Sequence, residues 1–202
     1  MANVLTTESL RYGLGRIITK LEACAEELNS LDAVLGDGDL GVTMVRGARS
    51  VQSELDSLPD DVGMALLKCA QAFTKISGST LGTLLATGLM SAAKATKGRR
   101  EIPWKEMSSL LGGAREAMSS RSQGQLGDKT ILDSLDAARA ATQGLEAPEL
   151  MAKAVDEAVA SSLERFRGQP ARQGRARIFG EKSMGNDDPG MVAFKRMVES
   201  LV

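Results

Sequence analysis

Apolar residues recur every three or four positions along most of this chain. Residues 6–31 put Leu10, Leu14, Ile17, Ile18, Leu21, Ala25 and Leu28 on one face of a 3.6-residue period, which predicts a helix with its stripe against a core. Residues 40–56 predict a second, with Met44, Ala48, Val51 and Leu55 in line. A third begins near Asp60, a residue type that caps helices well, and runs through VGMALLKCAQAFTKI. A fourth follows a break at Ser77-Gly78, and its small side chains let neighbours pack closely. Residues 103–120 open with Pro103, which is favoured in a first turn. Residues 129–143 and 147–166 predict two more, and residues 189–201 complete the series behind a cap at Asp187 or Asp188. No stretch shows the period-two alternation of a strand. The pattern predicts an all-α fold of about eight helices without internal repeats.

Residues 167–188, RGQPARQGRARIFGEKSMGNDD, interrupt the periodicity with glycines and arginines. A connection this long inside a compact domain is a functional loop or a solvated linker, and composition leaves both open.

Composition narrows the chemistry. At 202 residues and 43% apolar, the chain suits one domain, 1–202, with a real core. A net charge of −1 and 3% aromatic content argue against nucleic acid or an acidic membrane as partner. No apolar run approaches a membrane span, and the opening MANVLTTESLRYGL lacks the features of a signal peptide, so a cytoplasmic location is expected. Cys24 and Cys69 fall within helical patterns and read as small core residues rather than a disulfide or metal ligands. The chain has no histidine, which excludes a Ser-His-Asp triad, a Cys-His dyad and the usual zinc sites. A metal here would be held by oxygen, which favours Mg²⁺ or Ca²⁺.

The stretch LDAVLGDGDLGVTM (31–44) is the most informative. Gly36, Gly38 and Gly41 match G-x-G-x-x-G, yet a helix rather than a strand precedes them, so the dinucleotide-loop reading fails on context. The EF-hand reading fails too, because Ala48 stands where a bidentate glutamate is needed. What remains is Asp32, Asp37 and Asp39 with glycine hinges. Like charges 4 Å apart repel by about 1 kcal/mol per pair in water, and more in a cleft. Mg²⁺ would offset that, completing its shell with water and phosphate oxygens; a solvated Asp-Gly turn is the plain alternative. Three further stretches raise the odds of a phosphate site. SGSTLG (77–82) and GDKTILD (127–133) are polar helix starts of the kind that attract phosphate. GRARIFGEKSMGNDDPG adds Arg175 and Arg177 ahead of another helix start.

With these four blocks in this order, the chain resembles the L subunit, or nucleotide-binding domain, of dihydroxyacetone kinases over nearly its whole length. The resemblance implies an eight-helix antiparallel barrel with ADP or ATP in loops at one end and two Mg²⁺ ions on Asp32, Asp37 and Asp39. It implies a polar phosphate contact at Thr43 beside Leu40 and Gly41, and a phosphate-binding helix start at Gly78, Ser79 and Thr80. Thr130 and Ile131 would line the pocket, supported by Asp128 and Lys129, with Lys129 adding positive charge. Arg175 would contact the nucleotide and stabilise the transferring phosphoryl group, and Asp188, Pro189 and Gly190 would close over the adenosine. Leu40 stands where the family commonly has histidine, and Ser77 and Leu81 depart from its second block.

The resemblance further implies a phosphotransferase whose acceptor, a small ketose or aldose, sits on a separate K-type subunit. Its phosphoryl donor would be exchanging ATP or a phosphotransferase-system protein that recharges bound ADP, and a homodimer is also compatible. Alternatives are a fatty-acid-kinase-type nucleotide domain and a nucleotide-sensing regulatory subunit.

Overall fold

The computed structural model describes residues 4–75 and 79–202. It contains helices α1 (Thr7–Ala23), α2 (Ala25–Leu35), α3 (Leu40–Gln52), α4 (Val62–Thr74), α5 (Thr80–Thr96), α6 (Met107–Ser122), α7 (Ile131–Ala141), α8 (Pro148–Arg167) and α9 (Pro189–Glu199). Helices α1 and α2 form one rod broken at Cys24, whose backbone leaves the helical region at φ −103° and ψ 11°. Eight rods result. Each packs on the next in sequence, and α9 returns to pack on α1 and α2, which closes the barrel.

Most helices start on a side chain that accepts an N–H the helix cannot use itself. Thr6 and Ser9 form a reciprocal cap for α1, Thr130 and Asp133 for α7, and Asp188 accepts from the Met191 N–H at the start of α9. The main core joins α1 to α5 and α9; Leu28 and Met44 are fully buried in it. Cys24 and Cys69 belong to that core, and burial pushes the Cys69 thiol up to about 11. Helices α2 and α3 touch closely at Gly41, where a Cβ would run into the Ala25 carbonyl.

The boundaries differ from the sequence reading where distant contacts decide them. The α4 cap is Asp61, whose Oδ1 accepts from Met64 N–H at 2.9 Å, not Asp60. Pro103 does not open α6. It pairs with Val4 in a two-residue antiparallel ladder, β1 (Val4–Leu5) with β2 (Ile102–Pro103), followed by a 3₁₀ turn. Periodicity could not show this pair, because it depends on residues about a hundred positions apart. The first rod extends to Leu35, so Asp32 lies in its last turn.

Up-and-down order fixes where the loops meet. The starts of α3, α5, α7 and α9 share one end of the barrel with the end of α2. The β pair and the α4 start share the other. The acidic loop, GDKTILD and GRARIFGEKSMGNDDPG lie at connections of the first end, and SGSTLG enters it at Ser79, the Ser77-Gly78 break lying outside the described residues. Among the described residues, no helix is long and apolar enough to cross a membrane.

Candidate metal centre and its cavity

The loop from α2 to α3 is organised by two side chains one helical turn apart. Asp32 Oδ2 accepts the N–H groups of Gly38 at 3.0 Å, Asp39 at 3.1 Å and Leu40 at 3.3 Å. Asn29 Oδ1 accepts those of Gly41 at 2.8 Å and Val42 at 3.2 Å. Gly38 makes the turn possible at φ +76°, a backbone region that side chains disfavour. Five consecutive N–H groups are thus spent within the protein, and the start of α3 already faces the Asp32 carboxylate. This loop therefore does not offer phosphate the amide cradle of a dinucleotide fold.

It offers oxygens instead. Asp32, half-buried, and Asp37 and Asp39, both exposed, each place a carboxylate oxygen within 4.8 Å of the others. Asp32 Oδ1 takes no part in the loop's hydrogen bonds. Three hard anionic oxygens with no nitrogen or sulfur donor suit Mg²⁺, Mn²⁺ or Ca²⁺. Arg175 forms an ion pair with Asp37, so a protein cation already answers part of the negative charge.

The aspartates stand on the rim of a cavity of about 850 Å³, within the size range of small-molecule and cofactor sites. Ser79 caps α5 there, accepting from Gly82 N–H at 3.0 Å, and Thr80 follows it. Thr130, Ile131, Asp188, Pro189 and Gly190 bring the α7 and α9 starts into the same wall. Leu81, Leu84, Leu132 and Phe179 give it an apolar side, and Arg121, Gln173, Arg175 and Arg177 a polar one.

Not every expected residue reaches this space. Leu40 lines the cavity, but its N–H is held by Asp32. Gly41 is buried against α2, and Thr43 donates its N–H to the Asp39 carbonyl within α3; neither lines the cavity. Gly78 lies outside the described residues. Lys129 differs most from its expected part as a charge facing phosphate. It is 1% exposed, and its Nζ donates to the carbonyls of Arg167, Gln169 and Ser183. Asp188 is desolvated at the cavity wall, which pushes its carboxyl up to about 6 although the Met191 and Gly190 N–H groups and Lys129 favour the charged form.

The connection 168–188 is a folded arm rather than a solvated linker. It contains a 3₁₀ segment, Arg175–Ser183, kinked at Gly180, and packs Ala171, Ala176 and Phe179 against Leu35. Asn29 and Arg121 were missed in the sequence. The i, i+3 spacing of Asn29 and Asp32 at a helix end was the available signal for Asn29; Arg121 had none.

A family model described as the DAK2 domain matches residues 34–202, and the chain belongs to that family. Among its relatives, the PEP-dependent dihydroxyacetone kinase, ADP-binding subunit DhaL, of Escherichia coli is 30% identical, with 88% of this chain and 87% of that protein covered. The human triokinase/FMN cyclase is 32% identical over 94% of this chain, which spans 34% of that longer protein. The dihydroxyacetone kinase of C. freundii, solved in complex with AMP-PNP and Mg²⁺, superposes on 95% of this chain and 33% of its own with a TM-score of 0.76 at 23% identity, a likeness of fold.

Proposed function

We propose that this chain, as one domain spanning 1–202, is the ADP/ATP- and Mg²⁺-binding subunit of a dihydroxyacetone-type kinase, a phosphotransferase. The observation that carries the reading is the convergence of Asp32, Asp37 and Asp39 oxygens within 4.8 Å at the rim of the cavity. The ADP-binding role named for the E. coli relative, and the AMP-PNP and Mg²⁺ with which the C. freundii kinase was solved, support it.

In this reading the three aspartates hold two Mg²⁺ ions, which supply the positive charge that makes phosphate welcome beside carboxylates. The chain's own groups then position the nucleotide. The loop bonds to Asp32 and Asn29 hold the carboxylates in place without relying on the ion. The α5 start at Ser79-Thr80 meets phosphate, and the apolar wall and the α9 start enclose the base and sugar. Arg175 leaves Asp37 and donates to the oxygens of the transferring phosphoryl group, the electrostatic role that dominates such reactions.

The acceptor, a small ketose or aldose, belongs on a separate K-type subunit that covers this end of the barrel. The subunit names of the E. coli and Lactococcus lactis relatives support this division. The PEP- and PTS-dependent names of the E. coli and Lactococcus lactis relatives support a phosphotransferase-system protein as the donor that recharges bound ADP. A cytoplasmic location fits such a partner. The test is dihydroxyacetone turnover by the pure chain and by the chain reconstituted with a K-type subunit. Turnover only in the pair is expected; robust turnover by the chain alone contradicts the donor-subunit reading.

A further inference from the structure

The arm that carries Arg175 is closed at its base by one buried side chain. Lys129 Nζ makes three hydrogen bonds, to the Arg167 carbonyl at 3.3 Å, the Gln169 carbonyl at 2.8 Å and the Ser183 carbonyl at 3.1 Å. The first two acceptors lie where the arm leaves α8, and the third where its 3₁₀ segment ends. An ammonium has three donors, and all three are used. The residue is 1% exposed and holds a left-handed backbone at φ +62°, an uncommon state for a side chain with a Cβ. A buried charge in an unusual backbone conformation persists only where its surroundings determine it strongly. Adjacent bonds make the same junction: Arg172 N–H donates to the Asp128 carbonyl at 3.0 Å, and Ala171 N–H to Ser183 Oγ at 2.8 Å.

We propose that Lys129 is a positioning residue that ties both ends of the arm to the start of α7 and thereby sets Arg175 over the acidic loop. It touches neither nucleotide nor metal. The proposal deepens the nucleotide-site reading and rests on it for the part played by Arg175. Its geometric part, the tie itself, does not depend on that reading. A misplacement of about 1 Å in a site of this kind is enough to cost on the order of 100-fold in rate, which gives such a tie its functional weight.

The test uses the full chain in two measurements. The first is hydrogen exchange of the ligand-free protein. In Lys129→Met, which keeps the length of the side chain and removes its donors, the amides of Ala171, Arg172 and Gly185, the last of which donates to the Arg167 carbonyl at 2.8 Å, should exchange at least tenfold faster while α4 and α5 keep their rates. Unchanged arm rates, or equal acceleration everywhere, overturn the tie. If the variant does not fold, the parent decides: its arm amides should exchange as slowly as those of α7, and exchange at the rate of an open loop overturns the proposal.

The second measurement is calorimetric titration with Mg-ADP of the parent, Lys129→Met, Arg175→Ala and the double variant. If Lys129 acts through Arg175, each single change weakens binding by a similar factor and the double variant is no weaker than Arg175→Ala. Multiplying effects in the double variant overturn the positioning role. A parent that binds no Mg-ADP sinks the nucleotide reading instead, and hydrogen exchange still decides the tie.

Discussion

Helix α9 carries an acid at each end, and the two are pushed in opposite directions. Asp188 lies at the cavity wall and burial drives it up to about 6. Glu199 lies roughly 16 Å further along the axis. Burial raises it too, but hydrogen bonds from Lys195, Arg196 and Lys20 overcome this and bring it down to about 2. The difference lies in what the neighbours are free to do. The three cations around Glu199 point at it, and Arg196 also grips Glu27. Near Asp188 the nearby cation, Lys129, is committed to backbone carbonyls. Around Glu199 the charges are matched within the protein. At the cavity end Asp32, Asp37, Asp39 and Asp188 meet Arg121, Arg175 and Arg177 around an open space, an arrangement that suits cations and a ligand supplied from outside.

That contrast implies that changes in the acidic loop and at Arg175 alter binding and spare stability, that changes around Glu199 and Asp61 do the reverse, and that Asp188, which caps α9 at the cavity wall, touches both. The largest expected effect is from Asp37→Asn or Asp39→Asn. Either should abolish the Mg²⁺-dependent part of ADP binding in calorimetry. Removing a repelling charge should leave the melting temperature unchanged or raised, since each like-charge pair costs about 1 kcal/mol in water. A variant that lost binding only because it had unfolded would break the comparison.

Arg175→Ala comes next. Loss of one aimed donor should lower turnover of the reconstituted pair on the order of 100-fold. Because Arg175 pairs with Asp37, the same change should tighten Mn²⁺ binding to the nucleotide-free chain, which is readable by electron paramagnetic resonance. Weaker Mn²⁺ binding in that variant would mean that Arg175 supports the ion rather than competing with it.

Glu199 should govern acid stability. Its carboxyl falls from 4.5 to about 2 on folding, which corresponds to about 3 kcal/mol. That contribution is present above pH 4.5 and is lost as the pH falls through 2. Glu199→Gln should remove it, with Mg-ADP affinity at neutral pH unchanged. Asp188 has the opposite sign: raised from 3.8 to about 6, it lends stability that is full below 3.8 and is lost as the pH rises through 6. Asp188→Asn should flatten that limb in denaturant titrations between pH 4 and 7.

The smallest effect belongs to the distant cap. Asp61→Ala removes the acceptor for Met64 N–H and should lower the melting temperature by roughly 2–4 °C for a chain of this size, without changing ADP affinity.

The same division explains what was legible in the sequence. Helices could be read because their apolar stripes repeat locally, whereas the acidic loop by itself left a metal site and a solvated Asp-Gly turn both open. The resemblance carried the assignment from there. Features set by distant partners were not legible. Asp61 rather than Asp60 caps α4, and Asp61 also accepts from Gly98 N–H across a connection. The β pair needs Val4 to meet Pro103. Lys129 read as a phosphate charge because lysine before a polar helix start usually faces solvent; only the folded arm supplies the three carbonyls that draw it inside. The arm had no apolar period to announce its fold, since it packs through a few residues such as Ala171 and Phe179.

The central claim is that the acidic loop admits a nucleotide only together with a divalent cation. Calorimetric titration of ADP into the parent chain, with Mg²⁺ and then with chelator, tests it most directly. Saturable binding with Mg²⁺ and little or none without it is the predicted result; at about 100 times the dissociation constant, the ligand should add roughly 2.7 kcal/mol of stability. Equal ADP affinity in the presence and absence of Mg²⁺ would contradict the account, because nucleotide would then be held without the three aspartates' cations.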